Sequence, residues 1–204
     1  MANLDELPKG MAKVLVDQIG GLAARLPAPA PTPKVAGAPK TAAGAKVKKA
    51  AAPKFKESFA VCTATLDHVL RPPADLAAVA ELTGRWHHLI RAGKQIVQFA
   101  RSSEAKGFDG KGTAKVTQMG PVDAAHAAAV DAAIAAVEAD FKTADSVVRW
   151  LEIPAYYVAA LLVVTGKKMH AVVVSQPPSF TQVQPAKSYE FKEFLEKLSR
   201  EQHT

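Results

Sequence analysis

The chain has a single cysteine, Cys62, in 204 residues, so no intramolecular disulfide can brace it. It also lacks a long apolar run: the longest nearly uncharged stretch, 153–164, covers 12 residues, against the roughly 20 that a membrane-crossing helix needs. The opening Met-Ala-Asn-Leu-Asp-Glu puts two acids where a secretory leader or transit peptide would carry cations ahead of an apolar core. These absences lead us to expect a cytoplasmic protein with no membrane span. Glycine-rich phosphate loops, a serine-centred nucleophile elbow and Cys/His pairs at zinc spacing are missing too, so neither a cofactor nor a metal is expected.

What is present is enough apolar material, 49% of residues, for one core of ordinary size, with appendages around it. The net charge is +7 and the pI about 9.5, which on a folded surface would point to nucleic acid or another polyanion. The position of that charge changes its meaning. Residues 1–26 balance three cations against three acids, and residues 57–204 balance sixteen against sixteen. The whole excess lies in 27–56, with seven lysines and no acid.

Three segments follow from this. In 1–26, Leu4, Leu7, Met11, Leu15, Ile19 and Leu22 recur at steps of three or four, the stripe of an amphipathic helix that would dock on a protein partner or larger assembly. Gly20 and Gly21 interrupt the stripe, so the helix is expected from about Leu4 to Ile19. In 27–56, ten alanines, six prolines and seven lysines leave no apolar periodicity, and such a segment is expected to be a disordered spacer. Residues 57–204 are expected to form one globular α+β domain.

Within that domain the alternation of Phe59, Val61, Thr63 and Thr65 with Ala60, Cys62, Ala64 and Leu66 predicts a strand over 59–66. From Asp75, a stripe through Leu76, Val79, Leu82, Trp86, Leu89, Ile90, Ile96 and Val97 predicts a long helix to about Arg101. A weak alternation over 114–118 suggests one short strand. Pro121 and Asp123 suit a helix start, and Val130, Ile134, Val137, Phe141 and Val148 extend its apolar face. Residues 156–175 read as a β-hairpin turning at Gly166, with helix as the competing reading for 156–164. A last helix from about Ser188 turns Phe191, Phe194, Leu195 and Leu198 inward. The expected fold is α+β: a small antiparallel sheet packed with three helices, preceded by an amphipathic N-terminal helix and a disordered linker.

No residue pattern specifies a chemistry. His87 and His88, adjacent on the expected first helix, would sit about 100° apart, which is wrong for a shared metal. Together with Arg85, Arg91, Lys94 and Arg101 they would make a basic solvated face able to meet an anion. Cys62 reads as a small buried hydrophobe and not a nucleophile. Asp131, Glu138 and Asp145, spaced by seven, lie too far apart on a helix to act on one atom. The segment Trp150-Leu151-Glu152-Ile153-Pro154-Ala155-Tyr156-Tyr157 looks like a signature, with no function attached.

The expected function is therefore that of a non-enzymatic interaction or structural protein, its domain tethered to an assembly through the first helix. The alternative is nucleic-acid association through Lys46, Lys48, Lys49, Lys54 and Lys56, aided by Arg85, Arg91 and Lys94. That Ala/Pro/Lys tract resembles in composition the tails of bacterial histone-like proteins, over the linker alone. A third reading keeps an enzyme site in 57–204.

Overall fold

A computed structural model describes residues 3–4, 15–18, 57–92, 94–103, 115–141 and 145–201. Its centre is a mixed sheet in which eight strands follow the order β5-β4-β3-β2-β6-β7-β8-β9, with β1 annealed beside β6. The strands are β1 (Asn3–Leu4), β2 (Glu57–Thr63), β3 (Leu82–Ala92), β4 (Gln95–Ser103), β5 (Lys115–Pro121), β6 (Ser146–Ile153), β7 (Val158–Thr165), β8 (Lys168–Ser175) and β9 (Ser188–Glu190). Helices α1 (Leu66–Leu70), α2 (Ala124–Asp140) and α3 (Phe191–Arg200) accompany them. Neighbouring strands on the path run antiparallel except for β2 and β6, which are parallel.

Both faces of the sheet are covered, and this explains the continuous apolar character of its central strands. On β7, Leu161 and Val163 join a core with Val130, Ala133 and Val137 of α2. Ala160 and Leu162, pointing the other way, pack with Phe191, Phe194, Leu195 and Leu198 of α3. α2 approaches through small residues at helical spacing, Ala127, Val130, Ala133 and Val137, and is started by Asp123, whose Oδ1 accepts the His126 amide at 2.8 Å. The β7–β8 turn places Gly166 at φ +58°, the left-handed conformation that glycine adopts without a Cβ penalty.

The expected small antiparallel sheet is thus corrected to a large mixed one. Residues 76–80 form a 3-10 turn, and the rest of the expected first helix is the β3–β4 hairpin, with Ala92 paired to Gln95. A strand buried on both faces carries apolar residues at every spacing, so a helical stripe can be picked out of it. Trp86, His87, His88, Leu89 and Ile90 are all buried in succession, which no surface helix allows. The expected second helix likewise ends at Asp140, and Val148 belongs to β6 instead. Asp145 precedes that strand and so leaves the acidic stripe.

At the N-terminus, residue 4 is strand and not the start of a helix, Leu4 pairing with Val148. Residues 15–18 are helical. Leu15 is fully buried, and Gln18 Oε1 accepts the Val116 amide of β5 at 2.9 Å. β1 and β2 both pair with β6, each running parallel to it. Leu15→Ala is expected to cost about 2–5 kcal/mol, the usual penalty for emptying a leucine site in a core. Urea denaturation of the full chain checks it, and a change under 0.5 kcal/mol would remove Leu15 from the fold.

Candidate functional site

A cavity of about 480 Å³ opens at one end of the α2-covered face. β3 and β4 contribute His87, Phe99 and Arg101, and β6 contributes Trp150, Glu152 and Ile153. Pro154 and Tyr157 come from the β6–β7 connection and Val158 and Ala159 from the start of β7, while Val122, Asp123 and His126 close the side at the start of α2. Register explains the convergence: His87 pairs with Arg101 across β3–β4, and residues 87, 99, 101, 150 and 152 all take the same face of the pleat.

His87 is the centre of this wall. Its ring stacks on Trp150 at 4.0 Å between centroids and 10° between planes, and Phe99 lies parallel at 5.8 Å. The side chain is 4% exposed, and neither Nδ1 nor Nε2 has a hydrogen-bond partner among the described residues. Burial, reinforced by the charge of Arg101 and by His88 and His126, lowers its pKa to about 3, so the imidazole is neutral near pH 7.

Beside it lies an ionic cluster in which one carboxylate serves two guanidinium groups. Glu152 accepts from Arg101 Nη2 at 2.7 Å and from Arg85 Nη1 at 3.3 Å, and Arg85 also reaches Thr63 Oγ1 at 2.8 Å. Arg101 Nε and Trp150 Nε1 are buried without a partner. Of the six unpaired buried side-chain nitrogen and oxygen atoms among the described residues, four therefore belong to three residues of this one wall. Native proteins pair nearly all such atoms, and leaving one unpaired costs about 1–3 kcal/mol, so their concentration marks a place where stability yields to another demand. At the rim Tyr157, 85% exposed, holds the left-handed backbone at φ +53°, a conformation rare for a bulky residue.

Adjacent His88 has the opposite environment. Pointing to the other face of β3, it is fully buried between Ser58 Oγ at 2.9 Å and Ser102 Oγ at 2.8 Å. Burial lowers its pKa to about 4. The expected basic solvated face is therefore corrected: the residues lie on strands, both histidines are buried, and the arginines hold acids. Arg91 binds Glu57 at 2.9 Å and Asp131 at 2.7 Å, Arg85 and Arg101 share Glu152, and Lys94 stands exposed at the β3–β4 turn.

Of the other residues singled out, Cys62 is fully buried, its Sγ donating to the Trp150 carbonyl at 3.6 Å. Leu7, Met11, Ile19, Leu22, Lys46, Lys48, Lys49, Lys54 and Lys56 lie outside the described residues, as does the whole of 27–56. Among the described residues no helix is long and apolar enough to cross a membrane, and no group of three or more His, Cys, Asp or Glu could hold a metal ion. Sequence reasoning picked out Trp150–Tyr157, five of whose residues line the cavity, but it placed His87 and Arg101 on a helix and left Phe99 unread. No family model matches this chain, and no curated protein or solved structure matches it significantly.

Proposed function

We propose that the domain binds a small molecule in the cavity between β3, β4, β6 and the start of α2. The observation that carries this reading is the cluster of unpaired buried nitrogens in the cavity wall, on His87, Arg101 and Trp150. A volume of about 480 Å³ lies in the range of ligand pockets, and a mostly apolar lining with a few convergent polar groups is the usual composition of one. The neutral imidazole offers one donor and one acceptor, while among the described residues no nucleophile of the wall lies in hydrogen-bond contact with a base, which favours binding over covalent catalysis.

Thermal-shift screening of the full chain against a diverse set of small molecules tests the reading. A ligand at a hundred times its dissociation constant adds about 2.7 kcal/mol of stability, which for a chain of this size is a rise of several degrees. A screen with no compound raising the midpoint would count against it.

A second reading concerns the lysine-rich segment. The folded part is close to electroneutral in sequence, and 27–56 carries seven lysines between two strands that border the same β6. We infer that this lysine-rich segment binds an anionic polymer or an acidic partner. Binding of duplex DNA or heparin that does not weaken as salt is raised would remove this reading.

A further inference from the structure

The chemistry of the wall narrows the ligand class, and this step rests on the small-molecule reading above. The hydrogen-bonding groups of the wall are not evenly engaged. Its least exposed carboxylate is engaged: Glu152 takes Arg85 and Arg101 on its two oxygens. Three buried donors of the wall are not: Trp150 Nε1–H, Arg101 Nε–H and whichever ring N–H His87 carries have no partner among the described residues. Among the buried unpaired atoms of the wall, one acceptor stands against these three donors, the second nitrogen of the neutral His87 ring. Around them, Phe99, Val122, Ile153, Pro154 and Val158 supply apolar surface.

We infer that the cavity takes a small molecule with an apolar body and an oxygen acceptor at its head, a carbonyl or a carboxylate, received by Trp150, Arg101 and His87. A ligand whose head carries only N–H donors leaves the buried donors of the wall unpaired, and so does a pure hydrocarbon. The four nitrogens are shielded from solvent in the free structure, so the head group engages them only as the Phe99–His87–Trp150 stack shifts. Binding therefore reports on the Trp150 indole itself.

The test uses the full chain and three matched probes, 2-naphthoate, 2-naphthamide and 2-methylnaphthalene, followed by the indole N–H resonances in nitrogen-proton correlation spectra. The chain has two tryptophans, and Trp86→Phe identifies the Trp150 signal. The expected result is that at least one oxygen-bearing probe binds about tenfold or more tightly than the hydrocarbon, the effect of one or two hydrogen bonds, and moves the Trp150 indole proton downfield. Naphthoate ahead of naphthamide assigns a carboxylate head, and equal binding of the two assigns a neutral carbonyl. In His87→Phe the advantage over the hydrocarbon shrinks while hydrocarbon binding persists. If methylnaphthalene binds as well as the other two, the acceptor head is wrong and the small-molecule reading stands. If none of the three binds at millimolar concentration and neither indole signal moves, both fail.

Discussion

Acidification from pH 7 to pH 4 is expected to remove about 6 kcal/mol of stability, a large share of the 5–15 kcal/mol that holds a typical domain together. The cause is the pair of buried histidines. In the unfolded chain each takes up a proton near pH 6.5, whereas in the folded chain burial lowers the pKa of His87 to about 3 and of His88 to about 4. The folded-state values are depressed, so their contribution is fully present above pH 6.5. It is lost as the pH falls, because the unfolded state then binds protons that the folded state refuses. Each histidine contributes a slope of about 1.4 kcal/mol per pH unit in that window, so stability should fall by about 2–3 kcal/mol per unit between pH 6 and pH 4. Neither ring needs a discount for solvent screening, with side chains 4% and 0% exposed. Denaturant titrations at pH 7, 6, 5 and 4 measure the slope, and a midpoint constant from pH 7 to pH 5 would mean that the histidines are not buried as neutral rings.

The parts of this fold legible in the sequence are those whose burial is one-sided. α3 shows Phe191, Phe194, Leu195 and Leu198 buried on one stripe, with Lys197 and Glu193 in contact on the wet side, and that pattern has one reading. The β7–β8 hairpin announced itself through β-branched runs and Gly166. β3, β4 and β6 have neighbours on both faces, and a strand without a wet side loses the alternation that identifies it. Leu82, Trp86, Leu89 and Ile90 then fit a 3.6-residue period by selection, although Arg-Ala-Gly-Lys at 91–94 carries a turn signal within that stretch. The site suffered from the same misreading. Trp150, Glu152 and Tyr157 were singled out as a group, but their partners His87, Phe99 and Arg101 come from a hairpin read as helix, and only the cross-strand register brings the two sets together.

That register also makes two neighbouring residues respond oppositely to one substitution. His87→Phe should stabilise the free protein by about 1–3 kcal/mol, since it replaces a ring with two unpaired buried nitrogens by an apolar ring of nearly the same plane and size. The stack between Phe99 and Trp150 accepts a planar ring in that place, and the midpoint of thermal unfolding should rise by several degrees. The acid slope should fall to about half, because one of the two refused protons is gone. His88→Phe should do the reverse at pH 7, losing about 2 kcal/mol or more, because it strands the hydroxyls of Ser58 and Ser102 in the core. Both variants are larger than histidine by a similar amount, so overpacking alone predicts losses at both positions, and the opposite signs separate it from hydrogen-bond satisfaction. Thermal and urea unfolding of the two variants beside the parent decide the matter. A loss at both positions would mean that the His87 ring contributes to the fold itself, and the cavity wall would then give up its main claim to be a binding site. A gain at 87 with a loss at 88 means that the chain keeps a destabilising imidazole facing the cavity, which selection for stability alone would remove.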